Sequence, residues 1–264
     1  MLDFVRKEYY DVNDFRNIVK LLRGECGCPW DREQTHTSIR RNLLEEAYEV
    51  CEAIDSGDTE HLKEELGDLL MQVIFHARIE EEASSFDLDD VADRACRKLI
   101  LRHPHVFSDT HVENSEQVLK NWDDIKRAEK AQETVASAMD GVAKSLPSLW
   151  RAEKIQKKAQ KVGFDWQDVS GAMDKLSEEQ EELRSAIESG CGIEEELGDL
   201  IFAAVNVSRF VGIDLEDALH KSCDKFIRRF RFIEDEASTK GQQLEAMTLE
   251  ELEELYQLGK SREA

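Results

Sequence analysis

Apolar residues recur at intervals of three and four along nearly the whole chain, and two stretches of that pattern almost coincide. "EELGDLLMQVIFHAR", Glu64 to Arg78, returns 131 residues later as "EELGDLIFAAVNVSR", Glu195 to Arg209, with seven of fifteen positions identical. The spacing is that of amphipathic helices, and strand-like alternation is hard to find, so the pattern predicts an all-α fold. Helices are expected to begin near residues 38, 59, 87, 115, 148, 172, 193, 214 and 248. Gly67 and Gly198 each interrupt a helical run, at a cost of about 1 kcal/mol relative to Ala. A missing Cβ would let another helix pack close beside the acids that flank them.

The repeat extends in both directions. Upstream, "LLEEAYEVCEAI" offers Glu46 and Glu49, and "KLSEEQEELRSAI" offers Glu179 and Glu182. The quoted stretches then supply Glu65/Asp68 and Glu196/Asp199, so each copy carries ExxE followed by ExxD. Residues three apart share a helix face, which makes each motif a carboxylate pair. "DSGDTEH" and "ESGCGI" carry the turn and cap residues expected where two such helices form a hairpin. Downstream, "DLDDVADRACRKLILRH" aligns with "DLEDALHKSCDKFIRRF", which sets Lys98 and Arg102 opposite Lys225 and Arg229. An aromatic follows in each half, Trp122 and then Tyr256. Two tandem helical domains are therefore expected: residues 1–129, a linker at 130–145 rich in small residues, and residues 146–264.

Composition narrows what these domains can do. The formal net charge of −23 repels polyanions, and no basic stripe of the kind that neutralises a nucleic-acid backbone is present, which argues against a nucleic-acid polymer as partner. The six cysteines contain no CxxC pair and read as reduced thiols. Neither a leader-like apolar segment nor a membrane span is visible, so a soluble, cytoplasmic protein with no membrane partner is expected.

Four carboxylates converging from two antiparallel helices repel one another until a cation neutralises them, and a hard divalent ion is the natural occupant. Mg²⁺ fits best, because it prefers octahedral oxygen ligands and keeps coordination places for water or phosphate. The Lys/Arg pair would then hold phosphate oxygens, and the aromatic could stack on a base. Each feature taken alone has a plainer reading: a solvated acidic face, charges answering helix dipoles, an aromatic in the core. Their recurrence in the same order favours a metal–phosphate site. "GKS" at 259–261 lacks the glycine of a P-loop, since position 254 is Glu, and Glu33/His36 is the only Glu-x-x-His spacing, where a di-iron bundle would need two.

"GCPWDREQTH", "LLEEAYEVCEAI", "EELGDLLMQVIFHA", "RHPHVF", "RAEKIQKKAQKVGFDW" and "EELGDLIFAAVN", in this order, resemble the two-domain MazG nucleoside triphosphate pyrophosphohydrolases. The resemblance spans nearly the whole chain. It implies an all-α NTP pyrophosphatase fold whose helical bundle is completed by a second subunit, hence a homodimer. It also implies Mg²⁺, with Mn²⁺ as a substitute, on the ExxE and ExxD acids, and hydrolysis of NTP to NMP and pyrophosphate. On this resemblance the catalytic and metal-binding residues are Glu179, Glu182, Glu196 and Asp199, with Glu46, Glu49, Glu65 and Asp68 as their counterparts in the first copy. Lys175, Glu195, Lys225, Arg228, Arg229 and Tyr256 fall to nucleotide binding, with Lys98, Arg102 and Trp122 in the first copy. Lys221, Arg228 and Arg231 add positive charge beside the second clamp. Residues 146–264 are therefore expected to be the principal hydrolase, and residues 1–129 a regulatory, structural or weakly active copy. Two alternatives stand beside this: a non-catalytic helical metal-binding module, and a hydrolase of another pyrophosphate-containing metabolite.

Overall fold

The computed structural model describes residues 4–109, 111–112, 114–115, 117–118, 121–122, 125 and 134–262. The chain divides into two compact units, residues 1–126 and 127–264. All regular structure among the described residues is helical.

In the first unit, α1 (Val12–Leu22), α2 (Pro29–Glu33), α3 (His36–Ser56), α4 (Thr59–Glu82), α5 (Leu88–Arg102) and α6 (Pro104–Phe107) follow in order. The α3/α4 hairpin turns at Gly57, whose φ of +71° suits glycine, and α4 starts where the Asp58 side chain accepts hydrogen bonds from the Glu60 and His61 amides. Val19 of α1, Ile39 of α3 and Ile74 and Phe75 of α4 form the core, with Phe15, Leu70, Ile79 and Leu88 packed on them. Arg23, just past α1, fastens this layer. Its buried guanidinium makes two hydrogen bonds to Glu82 at 3.1 and 2.8 Å, donates to the carbonyls of Asp31 and Gln34, and lies 5.1 Å from the centre of the Phe75 ring.

The second unit comprises α7 (Val135–Asp140), α8 (Ser148–Gln160), α9 (Val169–Ser189), α10 (Ile193–Val211), α11 (Leu215–Thr239), a 3₁₀ turn (Leu244–Ala246) and α12 (Leu249–Arg262). α9 and α10 form the counterpart hairpin, with Gly190 and Gly192 both at positive φ. Alanines at 172, 186 and 203 are buried there and let the helices approach closely. Asp214 caps α11 and also accepts from the Trp150 indole at 3.1 Å, which fixes α8 against the start of α11. α11 packs on α8 and α12.

The expected boundary at 129/130 lies outside the described residues. Part of the stretch read as linker is ordered: α7 lies within it, and Ala138 and Val142 are buried. The tetrapeptides "CPWD" and "GFDW" also build different things. The first opens α2 with Pro29 at its start, whereas the second is a turn after α8 in which Gly163 adopts φ +83°. Trp166 then packs against Gly171 so closely that a Cβ there would lie 2.9 Å from the indole.

Candidate functional site

The two ExxE/ExxD sets stand in equivalent places on the two hairpins. In the first, ligand oxygens of Glu46, Glu49 and Glu65 lie within 4.8 Å of one another; in the second, those of Glu179, Glu196 and Asp199 do so. The remaining acids stand close by. Burial and the charges of Asp68, Glu49 and Glu65 push the Glu46 carboxyl above its ordinary range, against a hydrogen bond from Gln72 at 3.4 Å. Glu182 is likewise pushed up, by desolvation, by a hydrogen bond with Glu179 and by the charges of Glu179 and Glu196, with Lys175 opposing. Burial is the first cause at both, and crowding of like charge adds to it. Oxygen donors from two helices, close enough to destabilise one another's charge, fit a hard divalent ion.

Among the described residues, one basic side chain reaches each cluster. His61 reaches Glu65 at 3.0 Å, and Lys175 reaches Glu179 at 2.8 Å while also bonding Glu178. Lys175 is thus placed on the acids themselves. Glu195 sits beside Glu194 and Glu196 in the first turn of α10, where carboxylates answer the helix dipole.

The basic residues lie on the next helix of each unit, Lys98 and Arg102 on α5 and Lys225, Arg228 and Arg229 on α11. Lys98 and Lys225 are exposed and form no ion pair among the described residues. The aromatics face those helices. The Trp122 ring centre lies 6.0 Å from that of His103, at the end of α5, and the Tyr256 ring lies 6.0 Å from Phe226, with the Arg229 guanidinium 5.5 Å from its centre and 3.4 Å from its hydroxyl. One expectation fails within a single chain. A Cβ built on Gly67 or Gly198 meets nothing within 4 Å, so no helix among the described residues packs against either glycine, and their faces beside the acids are open.

The comparisons with known proteins bear on this geometry. Residues 34–107 and 167–231 both match the model described as the MazG nucleotide pyrophosphohydrolase domain, and each match contains one ExxE/ExxD set. The chain is 45% identical over 257 residues to the nucleoside triphosphate pyrophosphohydrolase of Escherichia coli K12, covering 96% of this chain and 98% of that protein. It is 43% identical to the nucleoside triphosphate pyrophosphohydrolase/pyrophosphatase MazG of Thermotoga maritima, covering 92% and 93%. This chain belongs to the MazG family. A nucleoside triphosphate pyrophosphohydrolase of Mycobacterium tuberculosis is 49% identical over 138 residues, 52% of this chain and 41% of that protein.

As a MazG chain it carries a further feature that the acid motifs did not reveal. A cavity of about 410 Å³ lies in the second unit among α8, the turn at 163–166 and α10. Gln156, Asp165, Asn206 and Arg209 are its polar lining. The repeat held the signal: aligned over the quoted stretches, Phe75 of the first copy faces Asn206 of the second, a core aromatic replaced by an amide.

Proposed function

We propose that the protein is a divalent-metal-dependent nucleoside triphosphate pyrophosphohydrolase, converting NTP and water to NMP and pyrophosphate, with the principal site on α9, α10 and α11. The observation that carries this reading is the convergence of Glu179, Glu196 and Asp199 within 4.8 Å, in a chain whose full-length relatives bear that activity in their names. Glu179, Glu182, Glu196 and Asp199 would hold the ion, Mg²⁺ with Mn²⁺ as a substitute. A hard divalent ion bound there supplies activation of water for in-line attack on the α-phosphorus and neutralises charge gathering on the leaving pyrophosphate. A carboxylate not committed to the ion accepts the proton of the attacking water.

Lys225 and Arg229 bind the phosphate oxygens that the ion does not reach, while Arg228 and Lys221 raise the local positive potential in a chain that is otherwise strongly acidic. Lys175, paired with Glu178 and Glu179, would stand beside an ion held there and adds an ammonium to the phosphate side of the site. Tyr256 holds Arg229 in place through its ring and hydroxyl and offers a face to the base. The first unit, with an equivalent acid set, serves as a weaker or regulatory copy. Large apolar side chains exposed on α5 and α11 support a homodimer as the working form.

The deciding assay is incubation with a panel of NTPs and Mg²⁺, resolving NMP, NDP, phosphate and pyrophosphate. NMP and pyrophosphate should appear together, and chelation should abolish turnover. NDP and phosphate as first products would refute the reading, as would full turnover after exhaustive chelation.

A further inference from the structure

The α3/α4 hairpin is joined at one end by the turn at Gly57 and at the other by a chain of three titratable side chains. His36 opens α3, and His76 and Glu80 lie near the end of α4. The two Nδ1 atoms stand 2.7 Å apart, and Nε2 of His36 stands 2.7 Å from Glu80 Oε1. The ring centres are 5.0 Å apart and the ring planes differ by 6°. That separation is what two ring radii and one hydrogen bond add up to, so the imidazoles lie end to end in one plane and a single proton fits between them. An ionised carboxylate only accepts, so His36 Nε2 carries a proton of its own. Nε2 of His76, at the far end of the chain, is buried without a hydrogen-bond partner.

The second unit builds the same hairpin without these groups. α3 and α9 are both 21 residues long and end on a left-handed glycine, so His36 falls opposite Val169; along the repeated stretches His76 falls opposite Val207 and Glu80 opposite Val211. All three members of the chain are valine there. The polar version responds to protons. Two rings that share one proton accommodate no charge or a single charge, but a second charge sets N–H against N–H and the contact is lost. Burial pushes the His76 imidazole below its ordinary value of 6.5, and the neighbouring His36 adds to this. The folded value lies below the unfolded one, so the contribution of the contact is whole above the unfolded value and is lost as pH falls through the folded one. The other charges around the pair are turned elsewhere. Arg78 of α4 answers Glu81 and Glu82; from α1 and its end Lys20 reaches Glu81 and Arg23 reaches Glu82, while Arg16 is held by Asp87 and Asp89 at the start of α5. Arg40, one turn along α3, and Glu33 of α2 are exposed. Among the described residues, Glu80 is the charged side chain that bonds to the pair.

We propose that His36, His76 and Glu80 form a proton-operated latch across the open end of the α3/α4 hairpin, closed at neutral pH and released in mild acid, in the first unit alone. Glu46 and Glu49 on one arm, and Glu65 and Asp68 on the other, lie between the latch and the turn. Release lets the arms that carry the first acid set part and leaves the second set as it is. The latch stands without the pyrophosphohydrolase reading; only its bearing on a bound ion rests on it.

The test is hydrogen–deuterium exchange of the full chain at pH 7.5 and pH 5.0, read by mass spectrometry and corrected for the intrinsic pH dependence of exchange. Protection factors of peptides from residues 36–44 and 72–82 should fall at least tenfold at pH 5.0, and those from residues 169–177 and 203–211 should not. His76→Gln, whose amide can still donate to His36 but takes up no proton, should abolish the acid response. The double variant His36→Val with His76→Val, which copies the second unit, should abolish it too. Circular dichroism melts at neutral pH identify a variant that has merely unfolded, and the other variant then decides; should both unfold, the comparison of the two units in the parent decides. Equal protection of the first hairpin at the two pH values, an equal fall in both units, or an acid response undiminished in a folded variant overturns the inference. Because exchange is read without substrate or turnover, failure of the latch leaves the function proposed above standing, and an inert enzyme leaves the latch standing.

Discussion

At the scale of single residues, charge decides what each site can do, and the two kinds of acid in this protein behave in opposite ways. Asp165 has a dedicated partner: hydrogen bonds from Arg209 hold its carboxyl below the ordinary value of 3.8, and the pair is largely buried, with 6% of the Arg209 and 14% of the Asp165 side chain exposed. Removing one member of such a pair leaves a buried charge and costs about 3–5 kcal/mol, so Asp165→Asn should sharply lower the stability of the second unit at neutral pH. The folded value lies below the unfolded one. The pair's contribution is therefore complete above the unfolded value and fades as pH falls through the folded one, and denaturation curves of Asp165→Asn and the parent should converge in acid. The clustered acids lack such partners in sufficient number and raise one another's affinity for protons instead, as Glu46 and Glu182 do. A divalent ion should relieve them. Mg²⁺ at a hundred times its dissociation constant should stabilise each unit that binds it by about 2.7 kcal/mol, seen as a raised melting temperature that Glu179→Gln with Glu196→Gln abolishes for the second unit alone.

At the scale of elements, the hairpins α3/α4 and α9/α10 carry the acids, and each depends on a glycine in left-handed conformation, Gly57 at φ +71° and Gly190 at φ +71°. No side chain crowds either position, so Gly190→Ala should cost only the conformational penalty of about 1–2 kcal/mol, measurable by urea titration, without displacing the acids. These hairpins were legible in the sequence because long amphipathic helices display their period and their turns carry Gly, Asp and Ser. The acid clusters were legible for the same reason, since i, i+3 spacing alone puts Glu179 with Glu182 and Glu196 with Asp199. α1, α2, α6 and α7 escaped because they are short and their period has few turns in which to show. α1 is announced mainly by a capping box in which Asp11 and Asp14 replace the familiar Ser and Glu. The cavity was beyond local pattern altogether. Gln156 meets Phe202 and Asp165 meets Arg209 across 46 and 44 residues, and helical periodicity carries no information about which faces meet. The open faces of Gly67 and Gly198 show the same limit: the period placed the glycines beside the acids but not what, if anything, lies against them.

At the scale of the whole molecule, a duplicated acid hairpin is joined to unequal surroundings. Both α5 and α11 leave apolar side chains in solvent, Leu99, Ile100 and Leu101 on one and Leu219, Phe226 and Ile227 on the other, and light scattering should find a particle of at least twice 30.3 kDa. A fully active monomer would refute that assembly. The copies themselves have diverged in a way that predicts which of them turns over substrate. Around the clamp, the second has Lys221, Arg228 and Arg231 beside Lys225 and Arg229, where the aligned first-copy positions of those three hold Arg94, Leu101 and Pro104, so the field that attracts a triphosphate is stronger in the second. Glu196→Gln should therefore abolish most NTP hydrolysis, by a factor of a hundred or more, which corresponds to at least about 2.7 kcal/mol of transition-state stabilisation, with helix content unchanged by circular dichroism. Glu65→Gln should leave most of the turnover in place and lower the number of Mg²⁺ ions bound per chain in calorimetry. Equal losses from the two substitutions, or silence from Glu65→Gln alone, would show that both copies work or that the first one does.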